Sequence, residues 1–104
     1  MKRGEIWWAE LPDPAGRRPV LLLSRDEAYR MRSLVTIAPV TTRVRGIHSE
    51  VVLGKKDGLP KRCVANLDTI TTVPKSVLEE RVSSLSKDKL HLVARAIVFA
   101  LGLS

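Results

Sequence analysis

The apolar residues of this chain change their spacing at Ser86, and few architectures accommodate such a change. Beyond Ser86, Leu90, Val93, Ala94, Ile97, Val98 and Leu101 recur at three- and four-residue intervals, which marks one face of a helix. Ser86 is suited to cap that helix, Asp88 complements its positive end, and Gly102 can terminate it. Before Ser86 the apolar residues form short runs punctuated by glycine and proline, the pattern of short strands joined by turns. The expectation is a small barrel or curled sheet, mainly β, with one amphipathic helix closing an end or covering a face.

Gly4 to Leu11 reads as a first strand, with Trp7, Ala9 and Leu11 on one face and Ile6, Trp8 and Glu10 on the other. Trp7 is therefore expected in the core and Trp8 partly exposed. Pro12 to Gly16 is a loop. Arg18 to Ser24 is nearly unbroken apolar sequence, expected to be buried on both sides. Pro19 should stand at its start, because proline has no N–H for a ladder. Arg18 then sits at a strand entrance, where a side chain can leave the core. Ser33 to Thr42, Glu50 to Leu53, Cys63 to Leu67 and Thr69 to Val73 are further strands.

The 104 residues suit one compact domain over 1–104, and a hydrophobic fraction of 44% argues against disorder. A chain this short buries modest surface, so association with a second copy would help it. Cys63 is the single cysteine, which rules out an internal disulfide and fits a reducing cytoplasm. Buried and inert is the expected state of this thiol. The runs Val20–Leu23 and Ala96–Leu101 are too short to cross a bilayer, and Glu5 and Glu10 interrupt any signal-peptide-like start. A soluble, cytoplasmic protein is expected. Eighteen Lys and Arg against eleven Asp and Glu leave a formal charge of +7. Such a surplus attracts polyanions, although solubility alone is an equally good account of it.

No spacing here suggests a metal site: CxxC and HExxH are absent, and His48 and His91 lie far apart in elements of different type. A glycine-rich phosphate loop and a nucleophile elbow are also lacking. No cofactor is expected. What remains is a set of arginines and threonines near strand ends. RNA can cleave itself when its 2′-OH attacks the adjacent phosphate, provided that protons are moved and the phosphorane's charge is held. An arginine fork suits that charge, and a threonine hydroxyl adds a donor.

Lys2-Arg3-Gly4-Glu5-Ile6-Trp7, Arg18-Pro19-Val20-Leu21-Leu22-Leu23-Ser24 and Ala38-Pro39-Val40-Thr41-Thr42 occur in this order along the chain. Together they resemble the signature of the MazF/PemK family of toxin ribonucleases, a likeness that extends through the C-terminal helix. The resemblance implies an SH3-like (CcdB/PemK-like) barrel, a homodimer, and neutralisation by a cognate antitoxin. It also implies metal-independent, sequence-specific cleavage of single-stranded RNA (mRNA, tRNA or rRNA) to a 2′,3′-cyclic phosphate and a 5′-OH. The family's arginine before proline maps to Arg18, as general acid or base and phosphate anchor. Its threonine after the Pro-x pair maps to Thr41, as a stabiliser of the transition state. Two departures stand out. The first loop is short, Leu11 to Arg17, and Ala65 or Asn66 stands where some relatives carry an aspartate, with Asp68 close by. The second acid–base group stays open.

Without that likeness Arg18 reads as a surface charge pairing with a carboxylate, and Thr41 as an ordinary strand residue. Arg43, Arg45, Lys55, Lys56, Lys61 and Arg62 fall on loops and can track an RNA backbone as a group. Arg17, Arg25, Thr42 and Asn66 complete the candidate RNA contacts. Trp8 is a candidate for a groove that takes a base or an antitoxin side chain. The antitoxin is expected to present an acidic, partly disordered tail. Two rivals remain: a CcdB-type poison of DNA gyrase, and a barrel that binds nucleic acid without cutting it. The ending Ala100-Leu101-Gly102-Leu103-Ser104 lacks the tryptophan that the first rival resembles.

Overall fold

The computed structural model describes residues 1–103; Ser104, the last residue of the tail considered above, lies outside them. Seven strands, β1 (Glu5–Leu11), β2 (Gly16–Leu22), β3 (Leu34–Thr41), β4 (Glu50–Leu53), β5 (Cys63–Asn66), β6 (Thr71–Pro74) and β7 (Leu78–Ser84), form one antiparallel sheet. Its order is β4-β5-β3-β2-β1-β7, with β6 also on β3. A single-turn helix, α1 (Ala28–Met31), follows β2, and α2 (Lys87–Leu101) ends the chain.

β3 organises the sheet because its two halves serve different partners. Leu34–Ile37 pair with β6, whereas Val40 and Thr41 pair with β5. A strand divided in this way curls the sheet and creates two cores. Leu21 packs in one with Ile6, Ala38, Leu53, Ala65, Val93 and Ala96, beneath α2. Val20 and Leu22 point the other way, into the second core with Ala9, Tyr29, Val35 and Ile37. The unbroken apolar run of β2 follows from this arrangement, since each of its faces meets a different core.

Of the expected barrel or curled sheet, the chain forms an open, curled sheet, because the end strands β4 and β7 do not pair. A short 3-10 turn, Lys55–Asp57, bridges the gap: Ser83 Oγ of β7 donates to the Asp57 carbonyl at 2.6 Å. Gly58 lies at this seam with φ +86, and a Cβ there would come within 2.5 Å of Ser83 Cβ. Only glycine fits both the conformation and the approach.

The helix after Ser86 is realised, although Ala94 and Leu101 of the expected apolar face are exposed. Ser86 Oγ accepts from Lys89 N at 3.2 Å, and Gly102 ends the helix in the left-handed region. Val93 and Ala96 are buried, while Leu92, Phe99 and Leu101 stay exposed. Two expectations need correction. Pro19 lies inside β2, opposite Trp8, and is tolerated because pairing with β3 begins only at Val20. Trp7 packs against the second core yet is only half-buried, with Nε1 donating to Glu5 Oε1 at 2.9 Å. Ile6 falls on the face opposite Trp7 and Ala9, as expected, and is fully buried in the first core.

Candidate active site

Arg18 and Thr41 lie far apart in sequence and meet because β2 and β3 are neighbours. Both line a cleft of about 330 Å³ together with Pro39, Arg43, Arg45, Asn66 and Thr69. Arg18 Nε donates to the Ala15 carbonyl at 3.1 Å, which holds the guanidinium stem and leaves its terminal nitrogens for an anion. Thr41, the last residue of β3, accepts at Oγ1 from Arg43 N at 3.2 Å. Its own hydroxyl proton remains free to donate.

Asn66 closes β5 and, of the two candidates Ala65 and Asn66, is the one that lines the cleft. Ala65 is fully buried in the first core, so Asn66 faces the cleft. Its Oδ1 accepts from Asp68 N at 2.9 Å, which orients the amide and leaves Nδ2 as a donor. Asp68 does not line the cleft; its carboxylate accepts from Ser49 Oγ. Three arginines therefore line the cleft with Thr41, Thr69 and Asn66, and among the described residues no Asp or Glu lines it. The site is built for an anion. Among the described residues no group of three or more His, Cys, Asp or Glu is arranged to hold a metal ion.

The other candidates lie elsewhere. Arg17 pairs with Glu79 at 2.8 Å and stacks over Trp8, with its guanidinium carbon 4.4 Å from the ring centroid. Trp8 is half-buried beneath it, as its mixed face suggested. Arg25 lies beyond the far end of β2 and does not line the cleft. Lys55 and Lys56 belong to the turn that bridges the sheet ends, and Lys56 faces α2. Thr42, Lys61 and Arg62 are exposed and do not line the cleft. A larger hollow, about 670 Å³, lies beside Lys2, Asp26, Glu27, Arg30 and Lys75, where opposite charges mix without converging on one kind of ligand.

Sequence reasoning missed Pro39 and Thr69 as cleft residues. Thr69 had a local signal: Asn66-Leu67-Asp68-Thr69 is an Asx-type turn, and the Asp68 N–H that it captures brings Thr69 round to the cleft. It also missed Glu50, whose Oε1 accepts from Arg45 N at 2.9 Å and Gly46 N at 3.0 Å.

The comparisons with known proteins identify the family through the sequence and the fold. A family model described as "PemK-like, MazF-like toxin of type II toxin-antitoxin system" matches residues 2–101. The chain is 40% identical over 103 residues to the probable endoribonuclease MazF5 of Mycobacterium tuberculosis, covering 98% of this chain and 94% of that protein. The Mycobacterium tuberculosis toxin MazF-mt6 superposes with a TM-score of 0.90 at 33% identity, over 96% of this chain and 98% of that one. An endoribonuclease in complex with its cognate antitoxin, from a mycobacterial species, superposes with a TM-score of 0.88 at 27% identity, over 100% and 97% of the two chains. A match along almost the whole length, in a sheet and helix of the same arrangement, places this chain in the PemK-like, MazF-like family of type II toxins.

Proposed function

We propose that this toxin is an endoribonuclease and that the cleft between Arg18 and Thr41 is where it cuts single-stranded RNA. The observation that carries this reading is the convergence of Arg18, Arg43 and Arg45 with Thr41, Thr69 and Asn66 in a space without a carboxylate. A bound phosphodiester would find its negative charge matched from several sides. That match strengthens as the phosphorane forms.

In the proposed reaction the 2′-oxygen attacks phosphorus, the bond to the 5′-oxygen breaks, and a 2′,3′-cyclic phosphate and a 5′-OH result. Arg18 anchors a non-bridging oxygen and donates toward the leaving 5′-oxygen. Thr41 stabilises the equatorial charge with its hydroxyl proton. In this scheme solvent takes the 2′-OH proton and returns one to the leaving 5′-oxygen, to which Arg18 donates a hydrogen bond. No metal is needed in this scheme. Arg43 and Arg45 bind flanking phosphates, and Asn66 Nδ2 donates to a base or a phosphate.

In the cell this chain is proposed to act in the cytoplasm, as a homodimer. The apolar side chains left exposed along α2 favour an oligomer. An antitoxin with an acidic segment across the arginine cleft would exclude RNA by occupying the same charges.

The test is incubation of purified protein with long single-stranded RNA in EDTA, wild type beside Arg18→Ala, with ends mapped by primer extension. Discrete cuts by wild type that vanish in the variant support the reading. Intact RNA in both would overturn it and bring gyrase poisoning or simple nucleic-acid binding forward.

A further inference from the structure

Two of the three cleft arginines ride on a loop without regular structure. Residues 42–49 link β3 to β4, and both Arg43 and Arg45 are exposed. Holding such a chain in one place costs conformational entropy, so something must fix it if the guanidinium groups are to stay in the cleft. Glu50, the first residue of β4, is placed to do so. One oxygen, Oε1, accepts both Arg45 N and Gly46 N, at 2.9 and 3.0 Å, and Glu50 N returns a bond to the Ile47 carbonyl at 3.0 Å. The turn is thereby wrapped around a carboxylate, with two adjacent N–H groups aimed at one negative oxygen.

The foot of this clamp is rigid and reaches the other side of the cleft. Glu50 is paired with Asn66 in the sheet. The neighbouring Ser49 is buried, accepts from Leu67 N at 2.8 Å and donates to Asp68. The second carboxylate oxygen, Oε2, is buried and has no hydrogen-bond partner among the described residues.

We propose that Glu50 is a positioning residue of the RNA cleft: its carboxylate holds the 43–46 loop so that Arg43 and Arg45 stay turned toward the bound phosphates. Glu50 does not line the cleft and touches no substrate. This inference rests on the reading of the cleft as the RNA site.

The experiment follows steady-state cleavage of a short RNA that carries one mapped cut site, by wild type, Glu50→Gln, Glu50→Ala, Arg45→Ala, Arg18→Ala and the Glu50→Ala/Arg45→Ala double variant. Glutamine keeps an acceptor oxygen for both N–H groups and should stay within about threefold of wild type in kcat/KM. Alanine frees the loop and should raise KM about tenfold while kcat moves less than about threefold, because Arg18 and Thr41 are untouched. Added to Arg45→Ala, it should cost less than the roughly tenfold it costs alone, since part of its effect is the placement of Arg45. Trypsin should cut after Arg43 or Arg45 faster in Glu50→Ala than in wild type, a readout of loop order that does not depend on activity. Wild-type KM and trypsin resistance in Glu50→Ala would overturn the inference, as would a glutamine variant as impaired as alanine. If Arg18→Ala and Arg45→Ala cleave like wild type, the cleft reading itself has failed, whatever Glu50 does.

Discussion

Tyr29 and Cys63 are the two side chains whose ionisation the fold moves most clearly, and neither belongs to the cleft. Burial pushes the Tyr29 phenol up to about 12, partly offset by Ser24. Unfolded chains lose this proton near pH 10, so above that value the unfolded state ionises first and folding loses stability as pH rises toward 12. Tyr29 is the only tyrosine, so phenolate absorbance reports it alone. We expect no phenolate signal at pH 10 while the fold persists, and a smaller fall in Tm above pH 10 in Tyr29→Phe. A midpoint near pH 10 in folded protein would contradict the burial. The Cys63 thiol is also raised, chiefly by burial and then by Asp57, against an opposing effect of Lys89. It should react with a disulfide reagent only as the protein unfolds, and rapid reaction in buffer would refute this. Burial of Cys63 could be anticipated from the usual behaviour of a lone free cysteine. Glu50 could not, because its role depends on which backbone N–H groups a loop presents.

Among the elements, α2 was legible because cap, period and terminator agree within a short stretch of chain. Ser86→Ala removes the acceptor for Lys89 N and should cost about 1 kcal/mol, or roughly 4–8 °C in Tm. An unchanged Tm would mean that helix packing, not the cap, sets stability there. Gly58→Ala should cost more than the cap, because it meets strain at φ +86 and the 2.5 Å approach to Ser83 together. β7 was illegible for the opposite reason. Leu78-Glu79-Glu80-Arg81-Val82-Ser83-Ser84 is mostly polar and largely exposed, so it has no apolar alternation to betray a strand. It is a strand because β1 offers it an edge, with register shifts after Ile6 and Trp8. Pairing to an existing edge leaves little trace in the sequence of the strand that joins it.

At the scale of the whole molecule, charge becomes an argument about RNA. If Arg18, Arg43 and Arg45 each engage a phosphate, raising salt should weaken RNA binding with a log–log slope of about −2, which follows from roughly 0.7 counterions per single-strand contact. Arg45→Ala should flatten that slope by about 0.7, whereas Lys55→Ala, on the turn at the sheet seam, should leave it alone. Equal effects of the two would spread the RNA contact over the whole basic surface. The sequence by itself determined the strand-rich body, the helix after Ser86 and the two-sided burial of β2. Those depend on local spacing and on burial, which residue type and periodicity record. Sequence motifs also brought Arg18 and Thr41 forward together. Only the tertiary structure decided that the sheet stays open, that Asn66 rather than Ala65 reaches the cleft, and that Arg17, Arg25, Lys55 and Lys56 lie away from it. Each of those depends on strand order and register, which bring together residues that no local pattern relates.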